Sequence, residues 1–372
     1  MRVAAAWLAA FAIAGCGAKT GLLIRTYDGG MDAIAIPDGA TDAPDTSPDA
    51  APLTCVPGHF TLVRGTTEVM FVIDRSGSMA LNLDGSMDPP RRWDVLHDAL
   101  AVTLPPFESS IEMGAYAFPR RFDGSMARSC DVTRTIDVAT APRNANGVLS
   151  ILTTTDPWGA TPTAAAIMQA GSVLAPRASL DHSVAIVLST DGGPNCNVAL
   201  DVTTCECTFV DPMGHQTCNG VPSNCLDDVR ATSAVAALAA QGIATFVIGL
   251  DGDSEIAERR ALQEMALAGG RPNTRAGEPA YYSARRPEQV ALALDTIERS
   301  IARCTLRSPS RPDDPNAITV SLEGIEIPRD ATHADGWDWT DMSFAQMAFF
   351  GPACERVAGA TDDPEVTVSC PP

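Results

Sequence analysis

Glu68-Val-Met-Phe-Val-Ile73-Asp74-Arg-Ser76-Gly-Ser78 decides how the rest of the chain reads. Five apolar residues in succession, closed by an acidic one, predict a short strand buried on both faces. A carboxylate and two hydroxyls then follow at alternate positions. As the backbone bends after the strand, Asp74, Ser76 and Ser78 can turn their oxygens toward one point. Hard divalent cations take about six such oxygens and commonly retain water. In open sheets, loops that do this converge at the carboxyl ends of parallel strands.

Working outward, strand and helix patterns alternate. Trp93, Leu96, Leu100 and Leu104 recur at helical spacing, and Ile111–Phe118 reads as a strand. Thr133–Ala139 reads as a polar edge strand and Pro162–Ala175 as a helix, with proline in the first turn. Val184–Leu188 is a further buried strand ending near Asp191. Leu226–Gln241 is an Ala-rich helix stopped by Gly242. Ile243–Leu250, Ser254–Ala268, Ala280–Ser283 and the helix marked by Val290, Leu294, Ile297 and Ile301 complete the series. The expected fold class is α/β: a doubly wound, mostly parallel sheet with helices on both faces. Two segments depart from the pattern. Residues 192–225 are a cysteine-rich insertion, and 305–372 read as a small β-rich unit whose strands include Ala317–Glu323 and Glu365–Ser369.

Two further segments bring the remaining donors. Trp158-Gly-Ala-Thr161-Pro-Thr163 precedes a helix, and Ser189-Thr-Asp191-Gly192 ends a strand. Together with Asp74-x-Ser76-x-Ser78 they resemble the metal-ion-dependent adhesion site of the von Willebrand factor type A domain. The resemblance covers about residues 60–303. It implies that Asp74, Ser76, Ser78, Thr161 and Asp191 bind one divalent cation, Mg²⁺ or alternatively Mn²⁺ or Ca²⁺, with the aspartates partly acting through water. Ala160 stands where relatives often carry glycine, and the insertion after Asp191 alters the ligand face. Asn82, Asp84, Ser86 and Asp88 could hold a second cation, but their glycine is misplaced for a Ca²⁺ loop, so a solvated turn is expected.

The N-terminus points to export. Arg2 precedes a short apolar run, Val3–Ala14, which ends in Ile13-Ala-Gly-Cys16. This resembles the bacterial lipobox, so residues 1–16 read as a lipoprotein signal peptide whose Cys16 takes the lipid. Gly17 after it implies sorting to the outer membrane. Residues 17–54 form an Asp-, Ala- and Pro-rich tether too poor in apolar surface to order itself. Of 11 cysteines, removing Cys16 leaves an even ten, which in an exported chain reads as disulfides. Cys55 and Cys304 bracket the main domain, whose two ends lie on one face in this fold, so they are expected to pair. Cys354 and Cys370 would close the tail. Cys130 would then join Cys196, Cys205, Cys207, Cys218 and Cys225 of the insertion. A zinc site from these with His215 is the lesser alternative, since the spacing fits no standard ligand pattern.

A formal charge of −20 without a basic patch excludes nucleic acid as a partner. His59, His97, His182, His215 and His333 fall in no hydrolytic motif, and no small-molecule substrate or enzymatic activity is indicated. Trp337 and Trp339 read as core anchors of the tail. The function expected is metal-dependent protein binding or adhesion at the cell envelope, through a partner's acidic side chain. A periplasmic assembly scaffold is the alternative, and a metal-assisted hydrolase is a distant third.

Overall fold

The computed structural model describes residues 58–368, apart from 66, 179–182, 211–215, 251–255, 310–311, 313, 341–343 and 345. Cys16, the tether 17–54, Cys55, His182, His215 and Cys370 therefore lie outside the described residues. Two short strands come first, β1 (Gly58–Thr61) and β2 (Val63–Arg64). They are followed by β3 (Thr67–Asp74), α1 (Arg92–Thr103), β4 (Ile111–Phe118), β5 (Val138–Ala141), α2 (Ala145–Thr154), α3 (Thr163–Leu174) and β6 (Ser183–Thr190). The described residues of the insertion carry the small β7 (Phe209–Val210) and β8 (Gln216–Thr217) pair and a 3-10 turn at Pro222–Asn224. Then come α4 (Asp228–Ala239), β9 (Ile243–Gly249), α5 (Ile256–Ala268), β10 (Tyr282–Ser283) and α6 (Pro287–Cys304). The tail holds β11 (Thr305–Arg307), β12 (Ile318–Leu322), β13 (Ile325–Ile327), β14 (Gly336–Trp339), β15 (Gln346–Phe350), α7 (Gly351–Gly359) and β16 (Glu365–Val368).

The central sheet runs β10-β9-β6-β3-β4-β5. Every pair in it is parallel except β4 with β5. All eight residues of β3 are buried, as an apolar run covered on both faces must be. Its side chains alternate between two cores. Val69, Phe71 and Ile73 face α1, α2 and α6, whereas Met70 and Val72 face α3, α4 and α5. Both cores are apolar over many residues, which is the main favourable term holding the layers together. The chain leaves β3 toward one helical layer and leaves β6 toward the other. The loops after these neighbouring strands therefore diverge and open a crevice at their carboxyl ends.

The edge strand differs from the expected Thr133–Ala139 and lies at Val138–Ala141, antiparallel to β4. Just before it, the Asp137 carboxylate accepts from the Ala117 N–H at 2.8 Å, so a side chain does the work of a ladder bond. The tail is β-rich with one helix, α7, which starts at Gly351-Pro352 and packs Ala353 and Val357 inward. Its strands form two antiparallel sheets, β1-β16-β12-β13 and β14-β15-β11-β2. Each sheet takes one strand from residues 58–64. One core, with Leu62, Leu306, Val320, Trp337, Trp339 and Phe349, serves both. Trp337 and Trp339 meet edge to face at 5.5 Å inside it.

The disulfides overturn two expected pairings, Cys55–Cys304 and Cys354–Cys370. Cys304 pairs with Cys354, not with Cys55, and Cys354 is thereby unavailable to Cys370. The reason is that α6 runs straight into β11 of the tail and packs against α7. The end of the helix thus sits in the tail core beside Ala353, 5.3 Å from Cys354 between Cα atoms. Cys130 joins the insertion cysteines in an even six, as Cys130–Cys196, Cys205–Cys225 and Cys207–Cys218. The clustered Cys205, Cys207 and Cys218 sulfurs are consumed by these bridges and are not available as thiolate ligands.

Candidate metal centre

The crevice gathers the residues that the sequence singles out. Asp74 is the last residue of β3 and is fully buried. Its Oδ1 accepts the Ser76 N–H at 2.7 Å, and its Oδ2 accepts the Thr190 hydroxyl at 2.6 Å. The turn after β3 then brings Ser76 Oγ within 3.0 Å of Ser78 Oγ. Ser78 Oγ donates to Asp191 Oδ1 at 2.9 Å, across 113 residues of sequence. Four of the five expected donors thus form one bonded chain: Asp74, Ser76, Ser78 and Asp191.

Thr161 is placed beside them by backbone bonds. Trp158 N–H donates to Arg75 O at 2.8 Å and Gly77 N–H to Gly159 O at 3.0 Å, stitching its loop to the Asp74–Ser78 turn. Gly159 is required there. Its φ is +81°, and a Cβ would lie 2.9 Å from both Pro119 Cγ and Ser129 O. Asn195 of the insertion accepts the Thr161 N–H on its Oδ1 at 2.8 Å and donates its own N–H to Thr161 O at 2.9 Å. The insertion therefore clamps the Thr161 loop, and Cys130–Cys196 ties it to the loop after β4.

Two arginines absent from the sequence reading complete the centre. Arg92, at the start of α1, donates from Nη1 to Asp191 Oδ2 at 2.6 Å, with both side chains buried. The same Nη1 reaches Ser78 O at 3.3 Å. Arg75 points away from the crevice and braces it, donating from Nε and Nη2 to Pro119 O at 3.0 and 2.6 Å. Burial lowers the Arg75 pKa, and Asp137 partly restores it. No spacing rule marks either residue; the pairing of adjacent Arg91 and Arg92 ahead of a helix was the only available signal.

The donor set fits a hard divalent cation. All donors are oxygens, and three of the five, Ser76, Ser78 and Thr161, are neutral hydroxyls. Burial first, then the neighbouring Asp191 carboxylate, push the Asp74 carboxyl well above its ordinary range. Among the described residues, two carboxylates against the Arg92 guanidinium give a formal −1, which a divalent ion would turn positive. Among the described residues no histidine is bonded to these hydroxyls. Among the described histidines, His97 lies on Asp98, His59 on Thr367 and His333 on Asp338. Asn82, Asp84 and Ser86 close on one another through backbone bonds, and the Asp84 carboxylate accepts the Ser86 N–H. That loop is a self-bonded turn.

No protein-family model matches the chain. No curated protein matches it either. Several solved structures align with it at low identity. The PilB minor pilin from Streptococcus sanguinis is 18% identical, with a TM-score of 0.43, over 64% of this chain and 62% of that one. A von Willebrand factor type A structure from Catenulispora acidiphila is 12% identical, with a TM-score of 0.40, over 84% and 60%. Manganese-loaded TRAP protein from Plasmodium vivax is 16% identical, with a TM-score of 0.41, over 70% and 94%. The chain spans about three-fifths of the length of the pilin. The fold class is the one given by strand order and register: a mostly parallel α/β sheet with a cysteine-rich insertion and a β-rich C-terminal part.

Proposed function

We propose that this is an envelope protein that binds a partner protein through a divalent cation held by Asp74, Ser76, Ser78, Thr161 and Asp191, in the manner of a von Willebrand factor type A domain. The observation that carries the reading is the bonded chain Asp74–Ser76–Ser78–Asp191, assembled from two loops far apart in sequence. With few carboxylates among the donors, the bound ion keeps Lewis acidity for a carboxylate offered by a partner. The loops around the crevice also expose Met87, Phe122, Met126 and Val198, apolar surface suited to a protein contact. Binding, not catalysis, is the activity proposed.

The Ile13-Ala-Gly-Cys16 sequence supports export and lipidation at Cys16, with the acidic tether holding the domain off the outer membrane. Among the described residues no helix is long and apolar enough to cross a membrane.

The test is a thermal melt and calorimetric titration of the full chain with Mg²⁺, Mn²⁺ and Ca²⁺ against chelator. At a hundredfold excess over Kd, an ion should stabilise the wild type by about 2.7 kcal/mol. Asp191→Ala should fold and lose that gain. A wild type that releases no binding heat and melts identically in all three ions would remove the reading.

A further inference from the structure

A cavity of about 480 Å³ opens where α6 and the segment 271–275 meet β15 and α7. No residue of the Asp74 centre lines it. Its walls carry Arg271, Arg275, Arg299 and Arg303, with Leu292 and Phe350 among the apolar residues. The acidic side chains at the same walls are Asp295 and Glu355, so the lining is net positive in a chain whose formal charge is −20. Asp295 is already engaged by Arg299, whose Nε donates to it at 3.0 Å.

Arg271 is the most telling group. It is 7% exposed, and its Nη1 has no acceptor among the described residues. Its Nη2 reaches only the neutral Thr305 hydroxyl, at 3.4 Å, and its Cζ lies 5.4 Å from the centre of the Phe350 ring. Burial lowers its pKa to about 10. A guanidinium buried without an anion is costly, and the missing counter-ion is the natural occupant of the adjoining space. Arg275 likewise bonds a neutral group, Thr296 Oγ1, at 3.4 Å.

We propose that this cavity binds an organic carboxylate with an apolar body. The arginine forks would take the carboxylate, whose planar two-oxygen shape they match, and Leu292 and the Phe350 side would cover the hydrocarbon. The volume falls in the range of small-molecule sites, roughly 300–1,000 Å³. The Cys304–Cys354 bridge fixes α6 to α7 beside it, so the two walls are covalently held.

The probe is 1-pyrenebutyrate, with 1-pyrenebutanol as its uncharged counterpart. Each is titrated by fluorescence into the full chain in excess chelator, which takes the Asp74 centre out of the measurement. The acid should bind saturably at one site, at least about tenfold more tightly than the alcohol. Arg299 and Arg303 are exposed at the rim, so Arg299→Glu/Arg303→Glu should fold normally. It should weaken the acid by roughly tenfold or more and leave the alcohol unchanged. Thr296→Trp, which fills the mouth, should abolish both. Equal affinity for acid and alcohol, an unaltered acid affinity in the double variant, or no saturable binding of the acid would each overturn the proposal.

Discussion

Arg92 turns the crevice from a cluster of oxygens into a tuned centre. Its guanidinium lies 2.6 Å from Asp191 Oδ2 and is almost wholly buried. Arg92→Gln leaves two carboxylates facing each other with their counter-charge gone, and losing one partner of a buried pair costs about 3 kcal/mol or more. In chelator the variant should therefore melt well below the wild type. The expected effect on Mg²⁺ affinity has the opposite sign. The centre is now more negative, so the ion should bind roughly tenfold more tightly in calorimetry. A variant with unchanged affinity would show that Arg92 does not act on the ion. Gly159→Ala tests the neighbouring loop. At φ +81° alanine is strained by about 1 kcal/mol, and its Cβ meets Pro119 and Ser129. The expected result is a modestly lowered melt and a weakened response to the ion; an intact response would free Gly159 from any role in placing Thr161. That Asp74, Ser76, Ser78, Thr161 and Asp191 lie around one crevice was legible in the sequence because each lies beside a strand or helix end, where local pattern fixes position. Arg92 and Asn195 were not. Arg92 finds Asp191 across 99 residues, and Asn195 finds Thr161 across 34, through contacts that only the tertiary fold creates.

Glu298 raises the same question of buried charge for the packing of whole elements. It sits on α6 at 1% exposure, in the face that packs against α1. Burial pushes its carboxyl up to about 8 and the Asp295 charge adds to the shift, while neither carboxyl oxygen has a hydrogen-bond partner among the described residues. Between pH 4.5 and about 8 the unfolded chain has lost this proton and the folded chain keeps it. Stability must then fall as pH rises through that window, by at most about 1.4 kcal/mol per unit, and level off above it. Glu298→Gln removes the proton and the fall together. Urea melts should show the variant close to wild type near pH 4.5 and ahead by up to about 4 kcal/mol at pH 8. Parallel profiles would mean that the carboxyl is ionised and paired in the fold. Elements of the central sheet matched their sequence patterns closely because full burial writes long apolar runs, as in β3, β4 and β6. Two helices went unread. The first turn of α2 holds Ala145-Asn-Gly147, which looks like a turn, and α7 opens on Gly351-Pro352, which looks like a break. In both, tertiary packing of a few apolar residues outweighs local preference.

At the scale of the molecule, the tail is not an appendage. The residues before β3 supply β1, which pairs with β16, and β2, which pairs with β11. Leu62 from this stretch is buried in the same core as Leu306, Trp337 and Val366. The sequence reading placed a boundary between 303 and 305 because helical periodicity gives way to strand alternation there. That change of period is real, but it marks a change of layer, where residues 58–64 and 305–368 meet around one core. The bridge between Cys304 and Cys354 closes 50 residues across the same junction. In the chain-entropy account a loop of that length stabilises by about 4 kcal/mol. A chain ending at Cys304 would lose that bridge, leave β1 and β2 without partners, and expose Leu62 and the end of α6 to water. Unpaired strand edges with apolar side chains promote association. The truncated protein should therefore bind 8-anilinonaphthalene-1-sulfonate strongly and elute as aggregates. Cys304→Ala/Cys354→Ala, which keeps the tail, should stay monomeric and melt lower by several degrees. A non-reducing peptide map of the wild type should recover Cys304 linked to Cys354. If the chain ending at Cys304 is instead monomeric, binds no dye and keeps its response to divalent ions, then the sheet around Asp74 folds without the sandwich, and the tail would be an independent module carried beside it.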